Sequence, residues 1–353
     1  MSFKLFTAIV LGVTVSPFGG QVFATEVSKH LSSYIEPEPI KRVEPKYPID
    51  AAREGREGWT NVSFVIDEKG DVSDVLLMES SGSKDIDKAS LKAVSKWKYK
   101  PAFENGKPIQ QCVNSVQMQF SLASNSNQGV SRSFKRQYRA GLEALEAKDH
   151  QAVEKQLNAM KTKKNMHLTE SNYMHLLAAR YEKEKQDKEK QLEHLNRVMV
   201  HTDATTEKLK LSVLYQRFIL QAELNLFRDA YRSYKALMKL DSAQAYKADL
   251  DNIIANIDEV ISSDKDIILQ AKIKEDHWRA SIVRNEFSLV DIKGALYTLD
   301  VRCANKRELF TVENNNTWTI PNSWKHCQIY VFGEKGSEFY FVEHPLEIAI
   351  KAS

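Results

Sequence analysis

The chain is expected to be multi-domain: an α+β unit, then an all-α run of helical hairpins, then a small all-β unit. Three observations carry this expectation. Between Val62 and Phe120, apolar and polar residues alternate in short runs set off by glycine and proline turns. From Arg132 to about Lys274 there is no proline, the only glycine is Gly141, and Leu, Ala, Lys, Glu and Gln dominate, a helical composition. After Trp278, short β-rich runs return with turn signals between them. At a soft prior of about 150 residues per domain, 353 residues hold two or three such units.

The charged fraction of 27% and the hydrophobic fraction of 42% suit folded chains. A net charge of +3 is too small to imply a nucleic-acid partner. The basic run Lys161-Thr162-Lys163-Lys164 reads as a solvated loop between helices.

In chain order, Lys4 precedes an apolar run from Leu5 to Val15, broken by Pro17 and Gly19-Gly20, with Val22-Phe23-Ala24 after it. That is the order of a secretory signal peptide, residues 1–24, cleaved after Ala24. The run is shorter than the roughly 20 residues a membrane span needs. The alternative is an uncleaved anchor kinked at Pro17. Residues 25–43 form a short linker.

A short helix over Ala51 to Glu54 follows Tyr47-Pro48, with proline near its first turn, and Gly55 and Gly58 end it. Val62, Phe64 and Ile66 alternate with Asn61, Ser63 and Val65 as a half-buried strand. Asp67-Glu68-Lys69-Gly70 turns the chain into a second strand, Val72 to Met78. Ser83 and Asp85 are N-cap candidates for a helix with Ile86, Ala89, Ala93, Val94 and Trp97 on one face, stopped by Pro101. Asn105-Gly106-Lys107-Pro108 turns again, and Cys112, Val116, Met118 and Phe120 form the apolar face of a third strand. The unit is an antiparallel three-stranded sheet with two helices on one face.

The succession Glu44-Pro45-Lys46-Tyr47-Pro48, Gly55-Arg56-Glu57-Gly58-Trp59, Gly70-Asp71-Val72, Ser80-Ser81-Gly82, Lys96-Trp97-Lys98-Tyr99-Lys100-Pro101-Ala102 and Asn105-Gly106-Lys107-Pro108 resembles the TonB C-terminal domain family over residues 44–122. The resemblance implies a periplasmic, non-enzymatic binding module without cofactor. It implies TonB-dependent outer-membrane receptors or other TonB-system proteins as partners. In that family an extended receptor peptide pairs with the last strand of the domain, here Gln111 to Phe120. The candidate peptide-binding residues are Tyr47, Pro48, Gln111, Val113, Asn114, Ser115, Gln117 and Gln119. The plain alternative is an ordinary edge strand protected by Ser115, Gln117 and Gln119. The family carries this domain at the C-terminus after a long proline-rich spacer, whereas only Glu36-Pro37-Glu38-Pro39 stands before it here. Residues 25–44 reach at most about 70 Å. The reading is therefore a periplasmic adaptor, with an anchored transducer for siderophore or vitamin uptake, or an envelope-assembly or cell-wall-binding protein, as alternatives.

Residues 123–131 form a polar linker, followed by the helical region at 132–274. Turn segments Ala147-Lys148-Asp149-His150, Lys185-Gln186-Asp187-Lys188 and Leu226-Phe227-Arg228-Asp229 recur at 38 and 42 residues, in the range of paired-helix solenoids. The region is read as tetratricopeptide-like (TPR-like), against a plain bundle, and as a surface for a further protein partner. Tyr215, Phe218, Phe227, Tyr231 and Tyr234 read as core.

Residues 275–353 form the β-rich unit, with runs from Phe287, Ala295, Glu308, Thr317, Gln328 and Glu338. Cys303 and Cys327 lie there and are expected to pair in an oxidising compartment; Cys112 reads as a buried thiol. No Gly-x-Ser-x-Gly, His-Glu-x-x-His, phosphate loop or Cys-x-x-Cys is present, and no histidine pair falls at three- or four-residue spacing. His326 beside Cys327 reads as a strand histidine, not a metal ligand.

Overall fold

The computed structural model describes residues 34–122, 130–163, 166–200 and 206–345. The proposed signal segment 1–24, residues 25–33 of the first linker and residues 123–129 of the second lie outside them.

The first unit comprises β1 (Tyr34–Ile35), β2 (Glu38–Lys41), α1 (Ile49–Arg53), β3 (Gly58–Ile66), β4 (Val72–Ser80), α2 (Lys84–Val94), β5 (Lys98–Lys100), β6 (Ala102–Glu104), β7 (Lys107–Ile109) and β8 (Gln111–Phe120). Its main sheet is antiparallel in the order β4-β3-β8; β1-β6-β7 and β2-β5 are small additional sheets. The β3–β4 turn is built as expected. Gly70 sits at φ +82°, and the Asp67 side chain accepts from the Lys69 and Asp71 amides. Ser83 precedes α2, but its hydroxyl donates to the Asp85 carboxylate and accepts from no helix amide, so it makes no side-chain cap bond. α2 ends at Val94, well before Pro101. The chain leaves because the Tyr99 amide donates to the Gly70 carbonyl and β5 pairs with β2. Trp97 therefore reaches the core from beyond the helix, with its indole N–H on the Val43 carbonyl.

Two expectations about this sheet fail. β3 is not half-buried: Ser63 is 2% exposed and Val65 0%, on the face opposite Phe64 and Ile66. Cys112 does not share a face with Met118 and Phe120. The β3–β8 register runs Val62 opposite Val116 but Phe64 opposite Val113, so β8 holds one extra residue and its side-chain parity reverses. Cys112 lies opposite Val65, with its Sγ 3.9 Å from the Lys306 carbonyl of the C-terminal unit.

The helical region runs α3 (Arg132–Glu146), α4 (His150–Lys161), α5 (Leu168–Glu184), α6 (Lys188–Asn196), α7 (Glu207–Glu223), α8 (Phe227–Leu237), a 3-10 turn at Asp241–Tyr246 and α9 (Lys247–Ser262). α3 packs on α4, α5 on α6 and α7 on α8. Each hairpin turns through one left-handed residue: Lys148, Gln186 and Asn225. These recur at 38 and 39 residues, so the third turn aligns at Asn225-Leu226 and not at Asp229. Asp149 and Asp187 cap the helices that follow, accepting from Ala152 and Lys190. Phe218 and Phe227 are buried in the core, with Tyr215, Tyr231 and Tyr234 packed against it. The basic loop is not fully solvated. Lys163 binds Glu170 at 2.6 Å, and Glu170, 0% exposed, also accepts from the Ser131 amide and hydroxyl.

The last unit begins earlier than its composition suggested. β9 (Ile267–Lys272) and β10 (His277–Ser281) precede β11 (Glu286–Lys293), β12 (Leu296–Cys303), β13 (Lys306–Thr311), β14 (Thr317–Thr319), β15 (Gln328–Gly333) and β16 (Glu338–Glu343). β9 pairs with β16, which places it in the sandwich and not in the helical region. Two four-stranded sheets, β14-β11-β16-β9 and β10-β15-β12-β13, enclose a core of Leu269, Phe287, Phe341, Leu299, Val301 and Val331. Cys303 and Cys327 form a disulfide; Cys327 lies just before β15, not on it.

Candidate functional site

β8 stands at the margin of the main sheet, and among the described residues no strand pairs with its outer edge. Every residue on that edge that is not turned toward β3 offers a backbone donor and acceptor. Ser115, Gln117 and Gln119 are exposed along it. Gln117 lies opposite Asn61 and Gln119 opposite Trp59, on the face away from α2.

The two ends of the strand differ. At its start, Gln111 is already engaged, donating to the Tyr34 hydroxyl at 2.6 Å, and Cys112 sits under β13. Val113 keeps its place opposite Phe64, but Asn114 and Ser115 together face Ser63 as the bulge of β8, which interrupts a regular ladder there. At its far end, Tyr47 packs edge-on against Phe120 with ring centroids 5.6 Å apart, and its hydroxyl donates to the Arg56 carbonyl at 2.6 Å. Burial pushes the Tyr47 phenol up to about 12, with the Glu57 charge adding to it. Pro48 is the N-cap of α1, and its carbonyl accepts from the Ala52 amide. Tyr47 and Pro48 thus border the Phe120 end, and the regular open edge runs from about Val116 to Phe120.

The sheet's other face is taken by the sandwich. Asp300, 1% exposed, accepts from Arg302 Nε at 2.8 Å and from Arg307 Nε and Nη2 at 2.9 and 2.8 Å. Arg307 in turn reaches Asp74 of β4, and Arg302 donates to the Asp74 carbonyl while lying 4.7 Å over the Tyr330 ring. Burial works against the Arg307 charge, but its bonds to Asp300 and Asp74 outweigh that and raise its pKa. Burial of Asp74 is likewise outweighed, by the Arg307 bond first, so its carboxyl titrates below the usual range. Asp74 holds φ +48°, which turns its carbonyl and carboxylate toward these arginines. Burial pushes the Cys112 thiol up to about 12.

One further grouping had no sequence signal. His175 and His194 stand nineteen positions apart, yet their Nδ1 atoms meet at 3.1 Å between α5 and α6. Their pairing needs two helices to dock, which no short-range spacing reports. No group of three metal-ligating side chains occurs among the described residues, and His326 has no such partners there. Among the described residues no helix is long and apolar enough to cross a membrane.

Residues 43–122 match the family described as Gram-negative bacterial TonB protein C-terminal. The TonB protein of Vibrio cholerae is 32% identical over 68 residues, 19% of this chain and 28% of that protein. The TonB protein of Pseudomonas aeruginosa is 31% identical over 98 residues, 28% of each chain. The solution structure of the Pseudomonas aeruginosa TonB C-terminal domain is 27% identical, covers 25% of this chain and 88% of that one, and superposes with a TM-score of 0.23. The chain spans 28% of the length of these curated relatives.

Proposed function

We propose, from the premise that residues 43–122 are a TonB C-terminal domain, that this protein is a non-enzymatic, periplasmic adaptor of TonB-dependent outer-membrane transport. It binds an extended receptor peptide by strand addition along the outer edge of β8. The observation that carries this is the position of β8 at the margin of the β4-β3-β8 sheet, with Ser115, Gln117 and Gln119 exposed. Main-chain hydrogen bonds supply affinity and alternate side chains set register. The bulge at Asn114 and Ser115 and the engaged Gln111 confine the regular stretch to about Val116–Phe120, with Tyr47 and Pro48 at its end. Processing after Ala24 is part of this reading, because a released chain acts as an adaptor and not as an anchored transducer.

The test is titration of the full chain with receptor-derived peptides. Gln117→Pro removes a backbone donor and is expected to abolish binding, whereas Gln117→Ala weakens it only slightly. Circular dichroism confirms that the proline variant keeps its sheet. Equal binding by the proline variant, or none by the parent chain at millimolar peptide, refutes the proposal.

A further inference from the structure

A cavity of about 880 Å³ opens where all three units meet. Its floor is the part of the main sheet that the sandwich leaves bare, with Asn61, Glu79 and Ser115. Arg217 and Leu226 come from the helical region, and β9 and β10 close the far side with Gln270 and Arg279.

Three features point to one class of occupant. The first is a second open strand edge. Among the described residues nothing pairs with the outer side of β9, which ends its sheet. The Ile268 carbonyl points away from β16, since Asn225 Nδ2 donates to it at 3.1 Å. By the two-residue alternation of a strand, Gln270 and Lys272 turn their N–H and C=O groups the same way, into the cavity. The second is unmet polarity. The Asn61 Oδ1 is buried without a hydrogen-bond partner among the described residues, a costly state that a donor would relieve. The third is charge. Arg217 spends Nε and Nη2 on the Leu195 and Val198 carbonyls, and among the described residues no carboxylate bonds it. Arg279 holds Glu79 only at 3.6 Å.

We infer that this cavity takes an extended peptide bearing a carboxylate, which adds as a strand to the outer edge of β9 while Arg217 and Arg279 receive the carboxylate. A peptide backbone alternates donors and acceptors at the spacing Gln270 and Lys272 present, and one of its amides meets Asn61. Apolar walls at Leu226 and Trp278 accommodate alternate side chains. This does not rest on peptide binding at β8, and it uses a different strand in a different unit.

Hydrogen exchange with mass readout on the full chain separates the two. The probe is the synthetic peptide Thr-Val-Thr-Val-Thr-Glu with a free C-terminus at millimolar concentration; the control ends in Gln-amide. Exchange within 267–272 is expected to slow about tenfold with the acid probe and less with the control. Gln270→Pro removes an outward amide without touching the β9–β16 ladder, so it is expected to keep the fold and lose the protection. Protection confined to 111–120 overturns this inference while leaving the β8 reading standing. No protection at 267–272, undiminished protection in Gln270→Pro, or equal protection by both probes also overturns it.

Discussion

Replacing Asp300 by alanine tests what holds the sandwich against the main sheet. Its carboxylate is 1% exposed and accepts three charged hydrogen bonds, one from Arg302 and two from Arg307. Without it, two guanidinium groups with side-chain exposures of 3% and 12% share only Asp74, whose own side chain is 36% exposed. Leaving a buried charge uncompensated costs about 3–5 kcal/mol, so the C-terminal unit should lose that much stability. At roughly 4–8 °C per kcal/mol for a unit of this order of size, its thermal midpoint should fall by about 20 °C. Asp74→Asn touches a more exposed end of the same network, and screening reduces its expected effect to about 1 kcal/mol. Calorimetry and urea unfolding followed by tyrosine and tryptophan fluorescence measure both. A loss below about 1 kcal/mol for Asp300→Ala refutes the idea that this network is desolvated, as does an equal loss for Asp74→Asn.

Acid should weaken the packing of α5 on α6. Burial drives the His175 pKa well below its ordinary value and lowers His194 to about 4, so both are neutral in the fold while unfolded histidines titrate near 6.5. Stability is therefore lost as pH falls from about 6.5 toward 4, by about 2 kcal/mol at pH 5 from His194 alone; a His194→Gln variant with the same pH slope would contradict this. Gly70→Ala places a Cβ 1.8 Å from the Tyr99 carbonyl at φ +82°, and urea midpoints should show a loss of at least about 2 kcal/mol. Cys112 should resist thiol labelling until the chain unfolds, and Cys303 and Cys327 should label only after reduction, which should cost about 3 kcal/mol. Rapid native labelling of Cys112 would mean that its cover by β13 opens freely.

The local sequence determined the local structure. Gly70 and Asp67 specify their turn because only particular residue types accept that backbone, and the alternation from Val62 to Ile66 specifies a strand because side chains alternate across one. The motif succession from Glu44 onward sufficed to point to the TonB C-terminal family whose model residues 43–122 match, and the segments holding Asp149 and Asp187 were legible as turns, where the structure shows both capping the helix that follows. The candidate edge strand was legible for the same reason, as a polar alternation at Ser115, Gln117 and Gln119. What the sequence did not carry are contacts whose partners lie far apart along it. The bulge that turns Cys112 away from Met118 depends on the register against β3. Burial of Ser63 and Val65 depends on strands more than two hundred positions later, and a helical-looking composition around Ile267 hid a strand because pairing with β16 outweighs weak local propensity. The His175–His194 contact and the three-unit cavity likewise come from docking of separate elements, where burial and desolvation are set by the whole chain's packing and by no short stretch of it.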